Sequence, residues 1–353
     1  NTPYERPLGG TQSAICYLAA ELARLGHAVT VANGSLAPAE SRGVRFCNYS
    51  EILEPGSLNR FDAVVAISDA IGDALRRTLR VTVPLILWSH FGADERAVSG
   101  LDGPGEGEAW TGFAFVSNWQ REQYERCFSI PRQKTRVLRN AVSPVFAAAP
   151  ETEPWFLTLK APTLVYTSSP NRGLDVLLRA FPTIRMVIPD ATLRIFSSMR
   201  IYQMSPEEDP FQDLYRHAGA MDGVEYVGPV GQAQLAQELS GAAALAYPST
   251  VPESACIVAL EAMAMGAAVI TTRLGALPET TNGFAFMVDW RENQAELAMH
   301  YAAMTAAVLG RMRENPTAAA LHRTNQLAFV RSEYLWPDRA REWAAWLSEI
   351  AGR

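Results

Sequence analysis

Continuous apolar runs alternate along the chain with stretches of helical spacing. Phe61 to Ser68 (FDAVVAIS) is apolar at nearly every position, which marks a strand covered on both faces. Leu85 to Ser89, Phe113 to Ser117, Thr163 to Thr167, Thr192 to Phe196, Ala243 to Tyr247 and Ala268 to Thr272 read the same way. Shorter strands are expected at 29–32, 44–49, 136–138, 225–227 and 284–288. Between them, Ala14 to Leu25 carries Ile15, Leu18, Ala19, Leu22 and Leu25 at helical spacing and closes on Gly26. Further helices are expected at 69–79, 119–128, 174–184, 211–218, 232–239 and 294–309. Strand–helix alternation run twice predicts an α/β protein of two doubly wound parallel sheets. The Pro- and Ala-rich stretch Pro144 to Pro162 reads as the hinge region, which divides the chain into domains 1–147 and 148–333. Met199 to Asp209, polar and partly acidic, reads as a mobile loop.

One stretch departs from this routine. In Pro248 to Gly266 (PSTVPESACIVALEAMAMG) a turn cluster and Pro252 lead into a helix with Ser254 as its expected N-cap. That helix is apolar all round, so it is buried. Yet it carries Glu261, and Glu253 stands eight residues earlier. A buried carboxylate is costly unless it is paired or hydrogen-bonded. Were both residues helical, they would be separated by about 12 Å along the axis and about 80° around it. With Glu253 in the entry loop, both acids can flank the free N–H groups of a helix N-terminus, a ready phosphate site. A plain core helix with Glu261 satisfied by an Arg or a backbone group is an equally good account of these residues alone.

Composition narrows the classes. At 353 residues the chain is long enough for about two domains with sizeable cores. A net charge of −6 argues against a general nucleic-acid binder, although not against a nucleotide held at a local site. The four cysteines, Cys16, Cys47, Cys127 and Cys256, show no metal or disulfide spacing, which fits a reducing, cytoplasmic setting. No apolar run is long enough to span a bilayer. Gly103-Pro-Gly105-Glu-Gly107 lacks a strand before it and reads as a flexible loop without a phosphate role; no GxGxxG follows any expected strand.

Residues just past strand ends are the ones where a doubly wound fold binds ligands. They include the Gly9-Gly10 loop before Thr11, a tight turn or a phosphate loop; His90, structural or a hydrogen-bonding group near a ligand; and Asn118, while Arg172, ahead of Gly173 and a helix, reads on its own as a solvated surface cation. Asn1-Thr-Pro-Tyr reads as the exit of a strand that is not present, as expected of a trimmed chain or a domain of a larger polypeptide.

Glu253-x7-Glu261 followed by Ala-Met-Ala-x-Gly and a strand resembles the donor-site signature of retaining GT-B glycosyltransferases of family 4 (glycosyl transferases group 1). The resemblance continues, in the family's order, through Gly9–Thr11, Val116–Trp119, Arg139–Val142, Arg172–Asp175, Val227–Val230 and Gly275 to Glu279. It implies two Rossmann-like domains facing a central cleft, with the family's first strand missing, and a C-terminal helix in 334–353 that packs back on the first domain. It implies transfer of a sugar from a UDP- or GDP-sugar to a hydroxyl, with retention, by a front-face route, without metal or cofactor. His90, Arg172 and Glu253 would carry the reaction. Gly10, Thr11, Ser168, Ser169, Arg172, Pro229, Val230, Glu253, Ser254, Ala255, Cys256, Ile257 and Glu261 would hold the donor. Where the family often carries a further Arg in a Gly-Arg pair, this chain has Thr167-Ser168-Ser169; hydroxyls and amides, or Arg273 or Arg139, would substitute. The acceptor, a sugar, a lipid-linked sugar or a protein, is not legible; Phe91 and Trp110 are candidate stacking residues or core. Peripheral membrane contact through Trp336, Trp343 and Trp346, a GT-B epimerase and an inactive binding domain stay open as alternatives.

Overall fold

The computed structural model describes residues 2–34, 38–158 and 160–352. Asn1, part of the expected strand exit, Leu159 of the expected hinge and Arg353 of the C-terminal segment lie outside the described residues. In chain order the elements begin α1 (Gly10–Arg24), β1 (Val29–Asn33), β2 (Ala39–Ser41), β3 (Val44–Asn48), β4 (Val64–Ile67), α2 (Gly72–Arg77) and β5 (Leu85–Ser89). They continue with α3 (Glu106–Ala109), β6 (Gly112–Phe115), α4 (Asn118–Phe128), β7 (Thr135–Val137), α5 (Pro144–Ala147), β8 (Thr163–Tyr166) and α6 (Leu174–Val187). Next come β9 (Thr192–Ile195), α7 (Gln212–Ala220), β10 (Val224–Tyr226), α8 (Gln232–Ser240), β11 (Ala244–Tyr247), α9 (Ile257–Ala264) and β12 (Ala268–Arg273). Last are α10 (Leu277–Thr281), β13 (Phe286–Asp289), α11 (Gln294–Glu314), α12 (Pro316–Glu333) and α13 (Trp336–Ile350).

The chain divides into two compact units: Ala14–Asn140 with the residues from Trp336 on, and the residues through Ser13 with Ala141–Leu335. The division expected at 147/148 thus falls after Asn140, and the segment ahead of Ala14 clusters with the second unit. In the first unit the strands form two sheets. One has the order β1-β3-β2, with β2 antiparallel; the other, β4-β5-β6-β7, is parallel throughout. Among the described residues none ahead of α1 lies in a strand, and β1 and β4 each have a single strand neighbour. In the first unit α13 brings Trp343 to 5.0 Å from Trp88, and Trp336 to 5.9 Å from Tyr17.

The second unit is built on one parallel sheet of order β10-β9-β8-β11-β12-β13. Its central strands are closed to solvent on both faces, which is why they read as unbroken apolar runs. α12 was not legible as a helix because its apolar positions are weakly periodic; it is held to α9 by Gln326, whose amide donates to the Met263 and Ala267 carbonyls at 3.2 and 3.0 Å.

Two loop expectations are corrected. In Met199 to Asp209, Ser198 caps a turn at Met199–Tyr202. Asp209 is buried and accepts from the Phe211 N–H at 2.9 Å and the Tyr215 hydroxyl at 3.1 Å, which ties the segment down. In the Gly103 to Gly107 stretch, Glu106 is buried and accepts from the Gly72 and Asp73 N–H groups, at 2.6 and 2.9 Å, and from Trp110 Nε1 at 2.9 Å. The expected flexible loop is therefore an N-terminal cap for α2, supplied from α3.

Candidate functional site

The carboxyl ends of β8, β11 and β12, three neighbouring strands, carry the sharpest chemistry of the second unit. From β8 the chain turns through Ser168 and Ser169; Ser169 is buried, and its carbonyl accepts from the Tyr166 hydroxyl at 2.7 Å. Arg172 follows, and Gly173 then takes φ 98°. A Cβ there would strike the Pro248 carbonyl, so only glycine admits this approach of the two loops. From β11 the chain enters the 248–256 loop. Glu253, 6% exposed, bridges to Gly275 after β12, and the Ala276 N–H donates to the Glu253 carbonyl at 2.7 Å. Gly275, at φ 61°, is a glycine because a Cβ would strike the Glu253 backbone.

This framing brings Arg172 Nη1 to 2.5 Å from Glu253 Oε1, and the Tyr247 hydroxyl donates to the same oxygen. Glu253 drives the Arg172 guanidinium still further above its ordinary range. Burial, reinforced by Glu253, holds the Tyr247 phenol well above its usual value, so it stays a proton donor. The result is a fixed cation, a third exposed, beside a buried carboxylate. Such a pair can bind an anion through Arg172 while Glu253 accepts from hydroxyl groups.

α9 starts at Ile257, three residues after the expected cap. Its N-cap is Cys256, and among the described residues no side-chain hydrogen bond caps it. Ser254 is buried but lies outside the cap, because the bridge to Gly275 keeps the chain out of helical geometry past Glu253. With Ala255, Cys256 and Ile257 the helix therefore offers uncapped N–H groups. Glu261, one turn on and 5% exposed, bonds to the Gln232 side chain. Burial pushes its carboxyl up to about 8, against the Gln232 hydrogen bond, which lowers it. The buried Cys256 thiol feels both Glu253 and Glu261, so one short segment sits within reach of both acids.

Gly9 and Gly10 lead into α1. A Cβ on Gly10 would lie 3.3 Å from the Ile257 side chain, so the glycine loop stands beside the start of α9; Thr11 follows it, half-buried, in the first turn. Pro229 and Val230 are half-buried just before α8, which carries Gln232. Arg273, a suggested second cation, is exposed and pairs with Asp289 at 3.2 Å. Arg139, the other suggestion, lies in the first unit.

In the first unit His90 follows β5. Its Nε2 lies 3.3 Å from Asn140 Oδ1, its ring centroid 4.6 Å from that of Trp88, and its Nδ1 is buried. Burial lowers its pKa to about 4, against the Asn140 hydrogen bond, so it is neutral at pH 7. Trp110 is core, pinned by Glu106, and is no stacking platform; Phe91 is exposed. Tyr247 and Gln232 were not singled out from the sequence. Tyr247 closes an apolar strand and Gln232 opens an amphipathic helix, both ordinary positions. Among the described residues no group of three or more His, Cys, Asp or Glu is arranged to hold a metal ion, and no helix is long and apolar enough to cross a membrane.

The fold has counterparts in solved structures. A glycosyltransferase from Rickettsia africae superposes with a TM-score of 0.70 at 16% identity, over 97% of this chain and 95% of the other. HepE of Anabaena, solved in complex with UDP-glucose, gives 0.70 at 16% identity, over 97% and 96%. Sucrose-phosphate synthase from Thermosynechococcus elongatus gives 0.68 at 17%, over 99% and 97%. The fold is GT-B. Residues 161–306, all in the second GT-B unit, match the family model described as glycosyl transferases group 1. No curated protein matches the chain.

Proposed function

We propose that this chain is a retaining glycosyltransferase that moves a sugar from a UDP-sugar to a hydroxyl acceptor. The observation that carries the reading is the Arg172–Glu253–Tyr247 cluster beside the uncapped start of α9, within the segment that matches the group 1 glycosyltransferase model. In this reading the α9 N–H groups and Arg172 hold the diphosphate, Glu253 accepts from sugar hydroxyls and Glu261 from the ribose. As the anomeric C–O bond breaks, negative charge builds on the leaving β-phosphate. A fixed guanidinium and helix amides stabilise that charge where it develops. The acceptor oxygen bonds to the anomeric carbon from the same face, and its proton passes to the leaving phosphate oxygen. No protein nucleophile is needed: the buried Cys256 thiol, pushed well above its ordinary pKa by desolvation, stays protonated. UDP is preferred over GDP because HepE is described with UDP-glucose. The positive charge supplied by Arg172 and α9 makes the donor site independent of metal.

The test is incubation with UDP- and GDP-sugars and an acceptor panel, with and without EDTA, followed by the anomeric configuration of the product. Arg172→Ala should lower kcat by about 10²–10³-fold, the usual scale for losing a charge-stabilising donor. Equal turnover by wild type and Arg172→Ala, an inverted product, or loss of activity in EDTA would each sink the corresponding part of the proposal.

A further inference from the structure

Three buried polar atoms follow the carboxyl ends of three adjacent strands of the second unit. Thr167 Oγ1 lies after β8, Ser197 Oγ after β9 and Gln232 Oε1 after β10, and none has a hydrogen-bond partner among the described residues. A buried acceptor without a donor forfeits a hydrogen bond it would make in water, so each such atom in a folded chain calls for an explanation. The Gln232 amide is the most informative. One end of it bonds to the Glu261 side chain, while the carbonyl end is unsatisfied. Gln232 is the first residue of α8, after Pro229, Val230 and Gly231, and Gly231 provides no side-chain cap. Two acceptors, a carboxyl and an amide oxygen, thus stand on one hydrogen-bonded pair of side chains at the strand ends.

We propose that Gln232 is a specificity-determining residue for the nucleoside: its Oε1 accepts a hydrogen bond from one ribose hydroxyl while Glu261 takes the neighbouring one. A ribose offers two vicinal hydroxyl donors, the complement of two adjacent acceptors; a 2′- or 3′-deoxyribose offers one. Because the Gln232 side chain already lies against Glu261, the two stand together before the ligand arrives. The inference rests on the reading that the second unit binds a nucleoside diphosphate sugar.

The experiment is calorimetric binding of UDP, 2′-deoxy-UDP and 3′-deoxy-UDP to the whole chain, as wild type, Gln232→Met and Gln232→Ala, with thermal unfolding of each variant. Wild type should bind UDP about tenfold more tightly than each of the two deoxy analogues, the scale of one net hydrogen bond, and one of them lacks the hydroxyl that Gln232 takes. Gln232→Met should lose the ratio to that analogue, with UDP weakened about tenfold and that analogue unchanged. A ratio unaltered in both folded variants, or no ribose preference in the wild type, would overturn the proposal and leave the orphaned oxygen to a water. If the wild type binds none of the three, the reading of the second unit as a donor site fails, and this inference with it. If it binds GDP in place of UDP, the same comparison with GDP and deoxy-GDP decides the point.

Discussion

Among the described residues, the second unit closes its six strands into one sheet, whereas the first divides its seven between two. The burial of the strands follows. β11 and β12 are closed to solvent along nearly their whole length, while β1 and β4, each with one strand neighbour, are half-buried throughout. Two of the perturbed groups, one from each unit, differ in sign as well. The second unit buries the acid Glu261, and the first holds the base His90 neutral. A continuous sheet gives the second unit a crest of adjacent strand ends, and that is where Arg172, Glu253 and Gly275 meet.

The largest test of this contrast is a matched pair of truncations. Ile270→Ala, in the middle of β12, should cost about 2–5 kcal/mol through lost transfer energy and a cavity that close packing cannot refill. Val65→Ala, on the half-buried β4, should cost about 1 kcal/mol or less, because part of its surface is already wet. Amide exchange resolved to peptides of each unit would read the two separately. Equal losses would mean that the first unit is as tightly closed as the second.

The acid and the base should give the units opposite pH profiles. Glu261 has its pKa raised in the folded state from the ordinary 4.5 to about 8. Its folded form favours the protonated acid, so its contribution is full below 4.5 and is lost as pH rises through 8, on the order of a few kcal/mol. His90 has its pKa lowered from 6.5 to about 4, so its contribution is full above 6.5 and is lost as pH falls through 4, by a smaller amount. Stability measured from pH 4 to 9 should therefore flatten on the alkaline side in Glu261→Gln and on the acid side in His90→Asn. A Glu261→Gln variant with the wild-type alkaline slope would remove the buried acid from the account.

Much of this was legible in the chain. An acid inside an all-apolar helix stands out because burial makes it expensive, and strands covered on both faces announce themselves as apolar runs. What was not legible depends on tertiary approach. Arg172 meets Glu253 across 81 positions only because β8 and β11 are neighbours. Ser254 looks like a helix cap, but the bridge between Glu253 and Gly275 delays the helix to Ile257. Trp110 looked equally suited to stacking and to the core, and the choice rested on Glu106, whose burial no local pattern signals. Gln232 is a common residue at a common helix position; its unsatisfied oxygen is a property of what surrounds it.

Glu106 supplies the most local effect. Its two oxygens take the Gly72 and Asp73 N–H groups at the start of α2 and the Trp110 indole, so a single carboxylate fixes three donors from two segments. Glu106→Gln keeps the shape but replaces one acceptor oxygen by an NH₂ group, which must face an N–H donor, and removes the negative charge from the helix N-terminus. The cost should be about 1–2 kcal/mol. Six of the eight tryptophans, Trp88, Trp110, Trp119, Trp336, Trp343 and Trp346, belong to the first unit, so tryptophan fluorescence reports mainly on it. The variant should lower the fluorescence-detected denaturation midpoint and speed exchange at Gly72 and Asp73, while amides of β11 and β12 keep their protection. Loss of protection in β11 or β12 would show that the two units share their stability, and the contrast between them would then have to be drawn at a finer scale than the sheet.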